Sequence, residues 1–449
     1  MPVAAVHGLA VTGRAVATAL AAHGWTVRLS DDRSDPGHEA FAATLGAGFH
    51  DVSTDAGLAS LLDGADMLIP APGVPPSNRV VRAAEDRGVA VRSELDLAYE
   101  REQSRPDGPR PLLGVTGTDG KTTTTMLAAH VLGTNGIRAA EVGNTDVPFL
   151  AAVDDSSIDA FVVECSSFRL DRVTSFRCEA SVWLNLAPDH LDWHPDIAHY
   201  RAAKARLWGC VRHGDVAVAP SVDPSIVAAA RDSGARVVTF GADASSDYGL
   251  RGDLLVGPGG AICTVGDLWR PMPHDITNSL AAAALVVESG LVPLEKVGAA
   301  LASFVPAGHR IQFVGEFGGS RWYDDSKATS PHAALTAIRS FDRLVLIAGG
   351  RNKGLDLGPM ASEPHRMSAV VAIGDDAPAI EAAFRGVCPV VATGSMEEAV
   401  REAARLAGPG VPVVLSPGCT SYDWYRNYNE RGNDFQRRVR ELFGEEDNR

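Results

Sequence analysis

The sequence predicts an α/β protein of three domains, each built on a mostly parallel β-sheet. Its 449 residues correspond to about three domains at roughly 150 residues per domain. Short β-rich runs alternate with helical stretches along the whole chain, as in sheets whose parallel strands are joined by helices. A polar, proline-bearing stretch at 101–111 has the composition of a linker. The predicted domains are therefore 1–109, 110–305 and 306–449.

The composition excludes several classes of protein. Lys and Arg total 41 against 56 Asp and Glu, a net charge of −15, which argues against general binding of nucleic acid or anionic membranes. No stretch approaches the ~18 apolar residues of a membrane span, and the first residues lack the basic start of a signal peptide. The six cysteines are dispersed without a C-x-x-C pair. We expect a cytoplasmic, monomeric protein that holds anionic ligands with local basic groups and backbone amides.

The first domain is predicted to be Rossmann-like. The segment HGLAVTGRAVATAL (7–20) follows a predicted strand and leads into a predicted helix, Arg14–His23. Gly8 and Gly13 match the dinucleotide-binding pattern G-x-G-x-x-G, Ala10 replaces its middle glycine, and Asp31 follows about 20 residues on. The helix N-terminus would face a diphosphate. This pattern leaves open an NAD-dependent oxidoreductase, although nothing downstream is typical of hydride transfer.

The central domain is predicted to be a P-loop-type ATPase domain. GVTGTDGKTTTT (114–125) lies between a predicted strand and a predicted helix that would stop at Gly133. Two glycines allow close backbone approach, the lysine reaches β- and γ-phosphates, and the Thr122 or Thr123 hydroxyl ligates Mg²⁺. The spacing is shorter than in the usual P-loop, because Val115 stands where its first glycine belongs. A glycine turn capped by threonines is the alternative interpretation.

The short loop resembles the G-T-N-G-K-T/S loop of the Mur ligase superfamily. This superfamily, which also contains folylpolyglutamate synthetases, couples ATP cleavage to amide-bond formation. Asp119 stands where the family usually has Asn and adds a negative charge beside the phosphates. The resemblance implies ATP contacts from Gly117, Thr118, Asp119, Gly120, Lys121, Thr122 and Thr123.

A metal centre is predicted downstream of the loop. Glu164 ends an apolar strand, and NLAPDHLDWH (185–194) places Asp189, His190, Asp192 and His194 together, with Lys204 fourteen residues after His190. Alone, the His/Asp group fits a helix-capping loop as well as a metal site. The resemblance implies two Mg²⁺ ions, with Thr122, Glu164 and His190 as ligands. It also implies that CO₂ carbamylates Lys204, since a lysine beside cations is biased toward the reactive neutral amine.

Further segments match the family's nucleotide contacts. PHDITNSLAAAAL (273–285) resembles H-N-x-x-N-x-x-A-A, with Asn278 near the adenine and Asp275 in place of the first Asn. Arg310 matches an arginine of the third domain that reaches the phosphates. In WYDDSKATSPHAAL (322–335), which resembles D-D-S-K-A-T-N, Asp325 would contact the ribose and Lys327 the phosphates. These matches imply that the third domain, also expected to be Rossmann-like, contributes to ATP binding.

The outer segments resemble the branch of the family that adds glutamate to UDP-N-acetylmuramoyl-L-alanine. VVLSPGCTSYDWYRNYNERGNDF (413–435) carries this likeness most closely, and Arg169 departs from the usual Gln. The resemblance implies UDP-sugar contacts from Val11, Thr12, Asp31, Asp32, Arg33, Gly73, Asn144 and Ser166. It implies glutamate contacts from Thr329, Lys353, Ser421 and Tyr428.

The implied reaction is ATP-dependent addition of glutamate, with D-glutamate the expected donor, through an acyl phosphate in peptidoglycan precursor synthesis. The residues implied in catalysis are Lys121, His190, Lys204, Arg310 and Lys327. Three alternatives remain beside the oxidoreductase. They are an L-glutamate-selective relative, another Mur or folylpolyglutamate-type ligase, and a non-catalytic nucleotide-binding regulator.

Overall fold

The computed structural model describes residues 1–33, 35–145, 147–191, 193–306, 308–352 and 354–444. Contacts divide the chain into two compact units. The first unit contains 1–186, 193–271 and 275–304, and the second contains 187–192, 272–274 and the chain from 305 onward. The predicted first and second domains share the first unit, so their boundary near 109 stays a prediction.

The N-terminal part of the first unit is a parallel sheet with helices. Its elements are β1 (Val3–His7), α1 (Val11–Ala22), β2 (Thr26–Ser30), α2 (Pro36–Thr44), β3 (Gly48–Phe49), α3 (Asp55–Leu62), β4 (Met67–Pro70), α4 (Arg79–Asp86), β5 (Ala90–Val91) and α5 (Glu94–Gln103). The strand order β3-β2-β1-β4-β5 is that of a mononucleotide-binding Rossmann sheet, which confirms the predicted fold. Helix α1 begins earlier than the predicted Arg14, because the chain turns into the helix directly after Ala10.

The rest of the first unit carries a second parallel sheet. Its elements are β6 (Leu112–Thr116), α6 (Lys121–Thr134), β7 (Ala139–Gly143), α7 (Phe149–Ala152), β8 (Ala160–Glu164), α8 (Ser167–Leu170), β9 (Ala180–Trp183), α9 (Ile197–Ala205), β10 (Val216–Pro220), α10 (Pro224–Asp232), β11 (Arg236–Phe240), β12 (Gly249–Arg251), β13 (Leu254–Gly257), β14 (Gly260–Thr264), α11 (Pro273–Glu288) and α12 (Val297–Ala302). The parallel order is β11-β10-β9-β6-β8-β7, and β12-β13-β14 form a separate antiparallel sheet.

The predicted helix stop at Gly133 is wrong. Helix α6 continues through Gly133 to Thr134, and the chain leaves the helix at Gly136, whose φ is +83°. A glycine costs a helix interior only about 1 kcal/mol, so the left-handed position, rather than the first glycine, ends the helix. The antiparallel β12-β13-β14 sheet is a further feature that the alternating pattern did not predict.

The second unit is built on a third sheet. Its elements are β15 (Gln312–Phe317), β16 (Ser320–Asp324), α13 (Pro331–Arg339), β17 (Leu344–Gly349), β18 (Met367–Ile373), α14 (Ala377–Ala383), β19 (Val390–Ala392), α15 (Met396–Leu406), β20 (Val413–Gly418) and α16 (Tyr428–Phe443). The order is β15-β16-β20-β17-β18-β19, parallel except for the antiparallel pair β15/β16. This mostly parallel sheet confirms the predicted α/β class.

Buried parallel strands place the functional loops. Strands β4, β6 and β8 are buried along their whole length, as expected for sheets covered on both faces. In such sheets ligands bind beyond the carboxyl ends of the strands, where β1, β6 and β8 lead into the predicted site segments. Among the described residues, no helix has the length and apolar character needed to cross a membrane.

Two glycines bring the first loop and α1 into direct contact. A Cβ added to Gly13 would lie 1.8 Å from the carbonyl oxygen of Gly8, and one added to Gly8, whose φ is +89°, would lie 2.8 Å from Ala71 Cβ. Backbone packing therefore requires glycine at both Gly8 and Gly13, the first and last positions of the G-x-G-x-x-G pattern. Ala10, at the middle position, is exposed and tolerates a side chain.

We expect Gly13→Ala to destabilise the first unit by roughly 3 kcal/mol, because the new methyl group overlaps a backbone carbonyl that cannot move aside. Gly133→Ala is the matched control, since nothing lies within 4 Å of the added Cβ, and it should be neutral or stabilising by up to about 1 kcal/mol. Urea unfolding followed by circular dichroism measures both. Equal midpoints for the two variants would contradict the packing argument.

Candidate functional site

A cavity of about 580 Å³ opens at the carboxyl ends of β1 and β4. Phe168 and Arg169, which the sequence did not predict as contacts, also line it. Ser166 lies outside the lining, and its Oγ accepts a hydrogen bond from Arg169 N at 3.4 Å. The predicted UDP-sugar residues that line the cavity are Val11, Thr12, Asp31, Asp32, Arg33, Gly73 and Asn144.

Asp31 holds the loop at the cavity floor. Its Oδ2 accepts from Leu9 N at 2.7 Å and its Oδ1 from Arg33 N at 3.0 Å. Burial alone would raise the pKa of Asp31, but these two backbone hydrogen bonds outweigh it and lower the pKa. The carboxylate therefore stays charged and shapes the loop. In NAD-binding proteins the acid at this place holds a ribose hydroxyl, whereas here both oxygens already accept from the protein.

Arg169 connects the two sheets of the first unit. Its Nη1 donates to Glu94 Oε2 at 2.6 Å and its Nη2 to Thr12 Oγ1 at 3.0 Å. Both charged side chains are buried, and Glu94 Oε1 also accepts from Leu150 N at 2.7 Å. The Nε of Arg169 is buried and has no hydrogen-bond partner among the described residues. Where the family usually has Gln, this chain therefore has Arg169, a buried cation that pairs with Glu94 at the cavity wall.

We expect Arg169→Met to destabilise the protein by about 3–5 kcal/mol, because it leaves the Glu94 carboxylate buried without its charge partner. The double variant Glu94→Gln/Arg169→Met should recover part of this loss. Arg138→Met removes an exposed pair with Asp159 and should change stability little. Denaturant midpoints of the four proteins test the claim, which fails if the two single Arg variants are equally stable.

The phosphate loop is held in shape by its glycines and by Asn185. Gly120 has φ +81° and Gly117 φ +157°, and a Cβ on Gly120 would lie 2.6 Å from Asn278 Oδ1. Asn185 Oδ1 accepts from the N–H groups of Thr118 and Asp119, both at 2.9 Å. The loop precedes α6, so the unpaired N–H groups of the first helical turn favour an anion there. Asn185 is a site residue that sequence reasoning missed.

Two lysines approach the same part of the loop. Lys121 Nζ donates to the carbonyl oxygens of Gly117 at 2.9 Å and Thr118 at 2.7 Å. Lys204 is buried, and its Nζ donates to Gly117 O at 2.7 Å and lies 4.5 Å from the centre of the Tyr200 ring. The structure thus brings together two of the predicted catalytic residues.

Glu164 has a carboxylate oxygen without a hydrogen-bond partner among the described residues, and it ends β8, which pairs with β6, the strand that leads into the phosphate loop. Glu164 is 2% exposed, and its Oε1 accepts from Asn144 Nδ2 at 2.9 Å. Its Oε2 is buried and has no hydrogen-bond partner among the described residues. Burial and then the nearby Glu164 charge raise the pKa of Glu141, an acid that sequence reasoning missed although it lies in an otherwise apolar strand. The unpartnered Oε2 of Glu164, with the Glu141 carboxyl group nearby, would suit a bound cation.

The residues of the predicted His/Asp group are divided between the two units. Asp189 and His190 belong to the second unit, whereas His194 belongs to the first; Asp192 lies outside the described residues. His190 adopts φ +54°, and its Nε2 lies 3.3 Å from Asp189 Oδ2.

Asp275, which stands where the family usually has Asn, is paired with a nearby arginine. Asp275 is 1% exposed, and its Oδ1 accepts from Arg270 Nη2 at 3.0 Å. A buried carboxylate needs such a charge partner, so the pair stabilises the first turn of α11. Asn278, one turn further along that helix, lies against Gly120 of the phosphate loop, and its contact with the adenine stays a prediction.

The second unit gathers several of its predicted residues at the ends of β16 and β20. Lys327 Nζ lies 3.9 Å from the centre of the Tyr428 ring, which joins a predicted catalytic group to a predicted glutamate contact. Arg310 and Thr329 are half-buried in the connections before β15 and α13, and Ser421 is buried after β20. Lys353 lies outside the described residues and stays a prediction.

Asp325 is a buried acid with an unusual pKa. Its Oδ2 accepts from Ser416 Oγ at 2.7 Å and its Oδ1 from Ile311 N at 3.2 Å. Burial raises the pKa of Asp325 to about 7, even though both hydrogen bonds and the Arg310 charge act in the opposite direction. Near neutral pH the carboxyl group is therefore shared between its protonated and charged forms.

This raised pKa makes stability depend on pH. Between about pH 4 and pH 7 folded Asp325 holds a proton that the unfolded chain has lost, so its contribution to stability falls as pH rises, by at most about 1.4 kcal/mol per pH unit. We expect Asp325→Asn to flatten this slope. Asp342→Asn, at an exposed position, should retain it. Unfolding midpoints measured between about pH 4 and pH 7 test this expectation. An unchanged slope in Asp325→Asn would refute the raised pKa of Asp325.

Comparisons with known proteins match three parts of the chain to domains of one ligase family. Residues 3–93 match the MurD-like N-terminal domain of Mur ligases, residues 115–286 the Mur ligase middle domain, and residues 309–419 the Mur ligase glutamate ligase domain. In fold, the chain is similar to the MurF ligase of Thermotoga maritima in complex with ADP. That likeness has a TM-score of 0.60 at 17% identity and covers 93% of this chain and 94% of that one.

Two relatives are similar over nearly the whole chain. The UDP-N-acetylmuramoylalanine–D-glutamate ligase of Frankia casuarinae is 38% identical over 449 residues, covering 97% of this chain and 93% of the relative. The ligase of the same name from Streptomyces avermitilis is 37% identical over 464 residues, covering 97% of each.

Proposed function

This chain belongs to the Mur ligase family, and we propose that it joins D-glutamate to the alanine carboxylate of UDP-N-acetylmuramoyl-L-alanine, with cleavage of ATP to ADP and phosphate. The observation that carries this function is the similarity, over 97% of the chain, to ligases named for that reaction. The cavity lined by the predicted UDP-sugar residues supports it. The reaction belongs to peptidoglycan precursor synthesis, and we propose a cytoplasmic monomer.

The chemistry needs an activated acyl group, because a carboxylate is a poor acceptor for an amine. The alanine carboxylate attacks the γ-phosphorus of ATP, ADP leaves, and an acyl phosphate forms. The glutamate amine then adds to the acyl carbon, and the tetrahedral intermediate expels phosphate and loses a proton. Such a reaction depends mainly on positioning and on neutralising phosphate charge. The loop amides and Lys121 supply these in the first unit.

We assign UDP-N-acetylmuramoyl-L-alanine to the cavity of the first unit, which seven of the predicted UDP-sugar residues line. The N-terminus of α1, with Val11 and Thr12, faces the diphosphate, as helix N-termini do with anions. Asp31, Asp32, Arg33 and Gly73 surround the nucleotide, and Asn144 and Ser166 contact the muramoyl–alanine part.

The residues around the phosphate loop fit Mg²⁺. Glu164 presents a buried oxygen without a protein partner among the described residues, and Asn144 fixes its other oxygen. We propose Thr122, Glu164, His190 and a CO₂-derived carbamate on Lys204 as ligands of two Mg²⁺ ions. When bound, the ions neutralise charge on the transferred phosphoryl group. Lys204 Nζ lies 2.7 Å from Gly117 O of the loop, and this position supports its place among these ligands.

The second unit supplies contacts to ATP and glutamate. Arg310 and Lys327 contact phosphate oxygens, and Asp325 contacts the ribose. The closeness of Lys327 and Tyr428 supports adjacent phosphate and glutamate positions. The glutamate is held by Thr329, Lys353, Ser421 and Tyr428.

Donor selectivity is the direct test. With Mg·ATP and UDP-N-acetylmuramoyl-L-alanine, we expect ADP release with D-glutamate, and little with L-glutamate or without an amino acid. The product should gain the mass of one glutamyl residue. Turnover with L-glutamate alone would retain the ligase chemistry and reject the donor, and no turnover with either would reject the function.

We expect Lys121→Ala to lower kcat for ADP release at least about a hundredfold, because it removes a charged donor from the transferred phosphoryl group. Lys296→Ala, an exposed lysine after α11, is the matched control and should retain the wild-type rate. Circular dichroism checks that both variants fold. Full turnover by Lys121→Ala would exclude the assigned role of the loop.

A further inference from the structure

Three side chains form a second cluster of metal-ligand atoms in the first unit, here called the His–His–Asp cluster: Asp171, His194 and His199. Asp171 follows α8, His194 precedes α9, and His199 lies in the first turns of α9. One ligand atom from each lies within 4.8 Å of the others. His194 Nδ1 is 2.9 Å from His199 Nδ1, and His199 Nε2 is 3.5 Å from Asp171 Oδ1.

The surroundings of His194 orient its ring. The side chain is 1% exposed, and its ring packs on Phe168, Trp193 and Tyr200. On the side away from His199, its Nε2 lies 2.9 Å from Ser167 Oγ. In the tautomer that donates this hydrogen bond, the lone pair of Nδ1 faces the cluster. Metal-binding histidines are held in the same way, with the second ring nitrogen donating to a neighbouring oxygen.

We propose that the His–His–Asp cluster binds a divalent transition-metal ion of the Zn²⁺ type, with solvent at the remaining position. Two imidazoles and a carboxylate are ligands typical of Zn²⁺. Ligand atoms about 2.1 Å from a tetrahedral ion lie roughly 3.3 Å apart, and one such atom from each residue already lies within 4.8 Å of the others. The 2.9 Å and 3.5 Å distances use different nitrogens of the His199 ring, so the His199 ring must turn to present one nitrogen to the ion. A metal-free chain of polar contacts from Asp171 through His199 to His194 uses the same side chains, and Zn²⁺ titration distinguishes it from the ion site.

The ion would differ from the Mg²⁺ of the reaction in ligands and in effect. Mg²⁺ prefers oxygen ligands, whereas two of the three ligands here are nitrogens. The ion would join the end of α8, which follows the strand bearing Glu164, to α9, which bears Lys204. Between them, Tyr200 packs on His194, and its hydroxyl lies 3.1 Å from Thr118 Oγ1 of the phosphate loop. The ion would therefore stiffen the support of two reaction-centre residues.

The test is Zn²⁺ binding by the full chain, stripped of metal and held in excess Mg²⁺, in competition with a chromogenic chelator. We expect wild-type protein to bind one equivalent, and His199→Gln and Asp171→Asn to bind ~100-fold more weakly. Both positions are half-exposed, so the variants should fold, as circular dichroism checks. His213→Gln, at an exposed histidine, is the matched control. The visible spectrum of bound Co²⁺ should indicate nitrogen–oxygen tetrahedral ligation and be lost in His199→Gln.

Two results would overturn the site. One is Zn²⁺ affinity that is absent under excess Mg²⁺ or equal in wild type and His199→Gln. The other is loss of the Zn²⁺ equivalent in Glu164→Gln with retention in His199→Gln, which would assign the ion to the reaction centre. Retention in Glu164→Gln and loss in His199→Gln supports the site without depending on ligase activity.

Discussion

The carbonyl oxygen of Gly117 accepts hydrogen bonds from two lysine ammonium groups, Lys121 at 2.9 Å and Lys204 at 2.7 Å. This shared acceptor brings two positive charges to the start of α6, where the helix dipole adds a third source of positive potential. Positive groups held so closely favour an anion between them, as phosphoryl transfer requires. The loop glycines, Asn185 and Tyr200 all act to hold this arrangement.

Two departures from the family pattern, Asp275 and Arg169, come with compensating partners. Asp275 adds a charge to α11, and Arg270 pairs with it. Arg169 adds a charge to the cavity wall, and Glu94 and Thr12 accept from it. In each case the substitution is buried, where an unpaired charge would cost several kcal/mol. The chain therefore keeps the geometry of the site while changing the charges around it.

The loop at 114–125 was the strongest single signal in the sequence, and the positions of the lysines agree with it. The chain has five lysines among 41 basic residues, and all but Lys296 fall in predicted site segments. Arginine is the basic residue nearly everywhere else in the chain. It cannot supply a neutral amine or a compact point charge, so the lysines of these segments mark positions where such a group is needed. The missed residues, Asn185, Glu141 and Phe168, are of common types in strands or loops. Their roles depend on which strand lies next to which, and that information is non-local.

The sequence by itself determined the α/β class, the phosphate loop and seven of the fifteen residues that line the cavity at the ends of β1 and β4, because glycine spacing, strand–helix alternation and strand-end polar residues are local features. Only the tertiary structure decided that α6 runs through Gly133, that Arg169 pairs with Glu94, and that His194 lies beside His199 and Asp171. These outcomes depend on burial and on contacts between distant segments. A charge or an imidazole acquires its partners only when the sheets pack and water is excluded.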